Sequence, residues 1–269
     1  MIVTDSTAYF PPDLAGELGV RIVPLHVQLG DWAFNEPEVT PCEFYRRLRM
    51  GGATPTTSQP APGEFLQAYT EAAQAGAERV LCVTSAAWLS GTFSSATVAA
   101  GLAPIPVDVV DSGTTSGGLL LTVGAVARAI QEGASYHEAL VVVRSLAGRI
   151  WSTWSSDTTE LLAAGGRLTD SVPDGVAVLG LEGEMRVLGS AGSLAESIQL
   201  QADRIVASAA TAPTRVTVGH GDVPALADAL ESALTGRPGI LGIDRYVVGP
   251  VIGAHAGPGN VGASYVVVG

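Results

Sequence analysis

The sequence is poor in charge, in aromatic side chains and in cysteine, and each shortage narrows what the chain can be. Charged residues make up 15% and aromatics 6% of its 269 residues. Hydrophobic residues reach 47%, so the apolar content is mostly Ala, Val and Leu, which suits a buried parallel sheet covered by helices. Lys plus Arg number 14 against 26 Asp plus Glu, a net charge of -12. That balance argues against nucleic acid as a partner, because phosphate binding needs clustered cations. The two cysteines, Cys42 and Cys82, form no CxxC or Cys/His cluster, which argues against a zinc site. No glycine-rich nucleotide fingerprint stands at a strand–helix junction. Met1 to Ser6 lacks the basic and apolar regions of a signal peptide. The longest apolar stretch, 117–130, contains Arg128 and is too short to span a bilayer. The expectation is a cytoplasmic protein without a membrane span, a metal or a cofactor.

What is present is an alternation of strand-like and helix-like segments. Strands are predicted at Ile2-Val3-Thr4, 20–29, 79–84 and 107–110. Helices are predicted at 11–18, 41–50, 63–75, 91–101, 116–131 and 136–147. Thr40 reads as an N-cap with Pro41 at the first helical position. Strands alternating with helices imply a parallel α/β sheet. After residue 150 the grain changes. Strand 150–155 and helix 158–164 lead to two apolar runs, 176–181 and 185–188, which flank Glu182-Gly183-Glu184 and read as a hairpin. Helices 195–210 and 224–234 alternate with strands at 216–220, 240–248 and 263–268. The expected architecture is a parallel-sheet α/β domain over 1–150 and an α+β domain over 151–269.

Several loops after strand ends are rich in hydroxyls and glycine: Thr4-Asp5-Ser6-Thr7, Ser85 to Thr92, and Asp111 to Gly117. In open α/β sheets such loops form the ligand crevice. Ser90 lies between a strand and a helix, where a hydroxyl and unpaired N–H groups can meet an anion, or where Ser90 simply caps the helix. Asp5 and Asp111 read as holders of loop backbone. Pro55-Thr56-Thr57-Ser58-Gln59-Pro60 reads as a stiffened, hydroxyl-bearing loop. His255, after the strand-like run 247–252, is a structural residue or a donor to an anion, and His220 invites the same two readings. Gly165-Gly166-Arg167 is a helix stop whose Arg offers a surface cation or a dipole contact.

Taken together, Thr4-Asp5-Ser6-Thr7, Thr57-Ser58-Gln59-Pro60, Leu89-Ser90-Gly91-Thr92, Asp111-Ser112, Gly165-Gly166-Arg167 and His255-x-Gly257-Pro258-Gly259 resemble the DegV family, in order and over essentially the whole chain. The resemblance implies a two-domain fold that clasps one long-chain fatty acid between its halves. It also implies a non-catalytic role, in some members as the fatty-acid-binding subunit of a fatty acid kinase that carries the acyl phosphate. By the same resemblance Thr57 and Ser90 are carboxylate ligands with Ser58 and Gly91 beside them, and His255 lies near the head group. Arg167 and Glu36 are the expected partner contacts.

The chain departs from the family in three places. Phe34-Asn35-Glu36 stands where the family carries a tyrosine and an aspartate, so Glu36 offers a longer reach. Ala61 replaces a serine that would cap a helix. In the segment after the 182–184 turn, where relatives carry Lys and Arg, Arg186 is the sole cation before Glu196. The alternative function is a serine-dependent hydrolase or acyltransferase using Ser90, His255 and an Asp. Against it, Leu89 precedes Ser90 directly, so no G-x-S-x-G elbow exists.

Overall fold

The computed structural model describes every residue except 157, 158, 169, 170, 172, 173, 182 and 269, and the side chain of residue 12. The first half runs β1 (Ile2–Asp5), α1 (Pro12–Glu17), β2 (Val20–Val23), β3 (His26–Leu29), β4 (Trp32–Asn35), α2 (Pro41–Met50) and β5 (Pro55–Ser58). It continues with α3 (Pro62–Gln74), β6 (Val80–Thr84), α4 (Thr92–Ala100), β7 (Val107–Asp111), α5 (Gly117–Gln131) and α6 (Tyr136–Leu146). The second half comprises β8 (Ile150–Ser155), α7 (Glu160–Ala164), β9 (Val176–Leu181), β10 (Met185–Ala191), α8 (Leu194–Ala209) and β11 (Thr214–His220). It ends with α9 (Pro224–Leu234), β12 (Ile240–Val247), α10 (Pro250–Ala256) and β13 (Val261–Val267).

The expected parallel α/β sheet is present: β2-β1-β6-β7, every pair parallel. Its strands are apolar on both faces because helices cover both. Val3, Val80 and Cys82 pack with Phe65, Tyr69, Ala96 and Ala99 of α3 and α4. Ile2, Leu81 and Val83 pack with Leu119, Val123 and Val143 of α5 and α6 on the other side. The second half holds a mixed six-stranded sheet, β10-β9-β8-β13-β11-β12, in which only β11 and β12 run parallel. The predicted hairpin is β9–β10, with Met185 opposite Leu181. Glu182 of its turn, and Thr158 at the expected start of α7, lie outside the described residues. One face of this sheet is covered by α8 and α9 through Ile198, Ile205, Leu230 and Leu234. The other face meets α5, which packs against β8, β11 and β13 as well as the parallel sheet. A helix between two sheets is buried almost all round, and this accounts for the long apolar stretch at 117–130.

Three expectations are corrected. The run 20–29 is not one strand: β2 belongs to the parallel sheet and β3 to a separate antiparallel sheet, β4-β3-β5. The break falls at Pro24-Leu25, where Pro24 has no N–H and the Leu25 N–H turns to Ser6 Oγ at 3.0 Å. Pro55 to Ser58 is strand β5 rather than a loop, with Thr57 opposite Val27. The run 247–252 is not a strand. Here β12 ends at Val247, and Pro250 opens α10 at its first position, so His255 sits in the last turn of a helix. Ala61 supplies no cap, and the Glu64 carboxylate accepts from the Ala61 N–H at 2.7 Å instead. Among the described residues no helix is long and apolar enough to cross a membrane.

Candidate functional site

A cavity of about 410 Å³ lies where the carboxyl ends of β1, β6 and β7 face the mixed sheet, with α7 and α10 contributing to its lining. Two carboxylates, one buried (Asp5) and one partly exposed (Asp111), shape the loops on the first side. Asp5 accepts from the Thr7 N–H (3.0 Å), the Thr7 hydroxyl (2.6 Å) and the Ser85 N–H (2.6 Å). Burial raises its pKa, and these donors oppose the rise. Asp111 accepts from the N–H groups of Ala87 (3.1 Å) and Gly113 (2.9 Å). Both therefore hold loop backbone, as read from the sequence, while Thr7, Ser85, Ser90 and Thr115 line the cavity.

The opposite wall is made by residues of β8, β11, β12 and β13. Ser152 pairs with Ser264 (2.8 Å), and Tyr246 accepts from Ser116 of the facing loop (3.0 Å). Glycines make room here. A Cβ at Gly219 would lie 2.1 Å from the Tyr246 ring, and one at Gly262 would lie 2.2 Å from Trp154 Cβ. Trp154, Leu162, Leu181 and Met185 supply apolar lining, with Leu162, Trp154 and Met185 packed in one cluster.

The polar residues singled out from the sequence converge on the same cavity. His255 Nε2 lies 2.8 Å from Thr57 Oγ1, across 198 positions of chain. Ser90 Oγ pairs with Thr92 Oγ1 at 2.8 Å and accepts from the Thr92 N–H at 3.3 Å, one residue before the helix cap Gly91. Gly91 is closely covered: a Cβ there would stand 2.3 Å from Gln59 Oε1. Ser58 and Gln59 also line the cavity, at its exposed edge. Arg167 donates to the Gly165 carbonyl (3.0 Å), and a Cβ on Gly165 would meet both Arg167 Nη1 and His255 Nδ1. The imidazole pKa of His255 is pushed down to about 4, first by burial and then by the Arg167 charge, so the ring is neutral at neutral pH. Ser90 and His255, joined in the alternative reading as nucleophile and base, each have another partner.

Two expectations fall elsewhere. His220 accepts from the Val223 N–H at 3.3 Å and lies outside the cavity lining, which is a structural role. Glu36, expected at a partner contact, is 4% exposed and cannot meet a docking surface in this conformation. Its carboxylate is occupied inside the protein by Ser6, Tyr9 and the Val251 N–H. The sequence reading missed Tyr246, Trp154 and the glycines at 219 and 262. For the two glycines the only sequence signal was small residues alternating with apolar ones along β11 and β13.

Comparison with known proteins agrees with this fold. Residues 1–268 match the DegV family, described as uncharacterised proteins. A DegV domain-containing protein of Streptomyces coelicolor is 35% identical over 274 residues, covering 97% of this chain and 96% of its own. A DegV family protein from Thermus thermophilus, whose structure is described for fatty acid binding, superposes with a TM-score of 0.90. It is 33% identical, over 100% of this chain and 99% of that one. A Thermotoga maritima structure, described as a DegV lipid-binding protein, is 26% identical with a TM-score of 0.90, over 99% and 98% of the two chains. A family match from end to end, with relatives above 30% identity over nearly their full lengths, means that this chain belongs to the DegV family.

Proposed function

We propose that the chain binds one long-chain fatty acid between its halves, 1–150 and 151–269, with the carboxylate held by Thr57 and Ser90. The observation that carries this reading is one cavity with two chemistries. Hydroxyls and a neutral imidazole gather at Thr57, Ser90 and His255, and apolar side chains gather at Trp154, Leu162, Leu181 and Met185. A fatty acid has the matching halves. Each buried methylene contributes about 0.8 kcal/mol, and each hydrogen bond to a charged group about 1.5–3 kcal/mol. The fatty acid and lipid binding described for the Thermus and Thermotoga relatives supports the same ligand class.

In this reading the protein is a carrier and not itself a catalyst. The carboxylate end, beside His255 and Arg167, is presented to a fatty acid kinase, and the acyl phosphate stays bound. Native mass spectrometry after mild purification tests the first step. An added mass of one acyl chain, lost on denaturation, is the expected result. A covalent acyl adduct would favour the hydrolase reading, and a nucleotide mass or a bare chain that takes up no palmitate would overturn the proposal.

A further inference from the structure

We propose that Glu36 is a positioning residue: with Tyr9 and Ser6 it sets helix α10 against strand β3, and so fixes the His255–Thr57 pair. This deepens the fatty-acid reading and rests on it for the role of that pair. Helix α10 has seven residues and no side-chain cap of its own at Gly249. Pro250 has no N–H, so Val251 and Ile252 carry the donors of the first turn. Those donors are satisfied by groups 215 and 243 positions away. The Val251 N–H donates to Glu36 Oε1 at 2.7 Å, and the Ile252 N–H donates to the Tyr9 hydroxyl at 3.1 Å. Tyr9 in turn donates to Glu36 Oε1 at 3.0 Å. The fit is close, since a Cβ on Gly249 would lie 2.4 Å from the Tyr9 ring and 2.8 Å from Glu36 Oε1.

The same carboxylate grips the other side. Glu36 Oε2 accepts from Ser6 Oγ at 2.5 Å, and Ser6 Oγ accepts from the Leu25 N–H at 3.0 Å, immediately before β3. The Glu36 N–H donates to the Leu25 carbonyl at 2.9 Å. Strand β3 pairs with β5, where Val27 faces Thr57. One buried group therefore ties the helix that carries His255 to the sheet that carries Thr57, and those two side chains meet at 2.8 Å. All three side-chain bonds at Glu36 are donations to it, which an ionised carboxylate satisfies best. The titratable groups facing it are Asp5 of β1, Tyr9, and Tyr45 of α2, with no cation among them. Burial of Glu36 itself, with the Asp5 charge adding, pushes its pKa up to about 7 against the opposing hydrogen bonds from Ser6, Val251 and Tyr9.

The test uses the full chain and follows the ring signals of His255 by NMR alongside palmitate affinity. Glu36→Ala should move the His255 titration midpoint up by about one unit or more and weaken palmitate roughly tenfold. Glu36→Gln keeps an acceptor for the Val251 N–H and should restore most of both. Tyr9→Phe, which removes the acceptor of the Ile252 N–H, should shift His255 in the same direction by less, and it serves if Glu36→Ala does not fold. His255 signals and affinity that stay at wild-type values in Tyr9→Phe and in a folded Glu36→Ala would overturn the proposal. Failure of the wild type to take up palmitate would overturn the functional reading alone, because the His255 titration still reports on the coupling to Glu36.

Discussion

Thr57 and Ser90 reach one cavity from different elements, a strand and a helix-initiating loop, and each hydroxyl already has a partner that a carboxylate would replace or join. Removing a hydrogen bond to a charged group costs about 1.5–3 kcal/mol. Ser90→Ala and Thr57→Val should each weaken palmitate binding roughly tenfold or more in a fluorescence titration, and unchanged affinity in both folded variants would refute their role as ligands. His255 titrates near 4 in the folded chain against about 6.5 when unfolded. Its contribution to stability is therefore fully present above about pH 6.5 and is lost as pH falls toward 4. Glu36 has the opposite sign. Its pKa is raised from 4.5 to about 7, so its contribution is present below 4.5 and is lost as pH rises through 7. Denaturation at several pH values should show the stability gap between wild type and Glu36→Gln drifting against the wild type between pH 4.5 and 7. A gap independent of pH would show that Glu36 titrates normally. Of these residues, Thr57, Ser90 and His255 were legible in the sequence as family motifs. The inward turn of Glu36 was not, because its donors come from Ser6, Tyr9 and Val251, distant along the chain.

Among the elements, β8, β11 and β13 build the cavity wall through what their side chains lack. Gly262 faces Trp154 so closely that a methyl group would meet the Thr153 carbonyl at 2.5 Å and Trp154 Cα at 2.7 Å, both backbone atoms that cannot easily yield. Gly262→Ala should cost about 1–3 kcal/mol, read as a lower denaturant midpoint at unchanged slope. Gly242 of β12 has nothing within 4 Å of the same added atom. Gly242→Ala should stay within about 0.5 kcal/mol of wild type, and equal losses in both variants would show that steric contact is not the cause. The parallel strands and most helices followed from hydrophobic period and caps. Thr40, for one, accepts from the Glu43 N–H at 3.2 Å ahead of Pro41. The three-stranded sheet did not follow. Its strands are four residues each, too short for an alternating pattern to stand out, and one of them begins with proline.

At the scale of the whole molecule, charge decides which partners can approach. The chain contains no lysine, and its 14 cations are all arginines set in a body of net charge -12. Arg186, the cation of the 182–196 segment, pairs with Glu184. Arg167 lines the cavity and donates to the backbone carbonyl of Gly165. A kinase from a distant source should therefore couple weakly, since like-charge contacts slow encounter and penalise wrong partners. Arg167→Ala should abolish the residual phosphorylation of bound acyl chains in a coupled assay. Robust phosphorylation indifferent to Arg167 would show that docking uses another surface. His255→Ala should retain lipid on purification yet lower acyl-phosphate formation. A folded but lipid-free variant would make His255 chiefly a binding ligand.

By itself the sequence determined the class of architecture, the long apolar helix near 116–131, and the residues offering hydroxyls at strand ends. These depend on local period, caps and the polarity of short segments, which a chain carries wherever it is cut. The tertiary structure alone decided that Pro55 to Ser58 joins a sheet and that His255 ends a helix. It also decided that Glu36 turns inward to hold two segments more than 200 positions apart. Those outcomes depend on which distant donor satisfies a buried acceptor and where a glycine lets two surfaces meet. No local pattern encodes either, because the partners become neighbours only when the sheets have closed around the cavity.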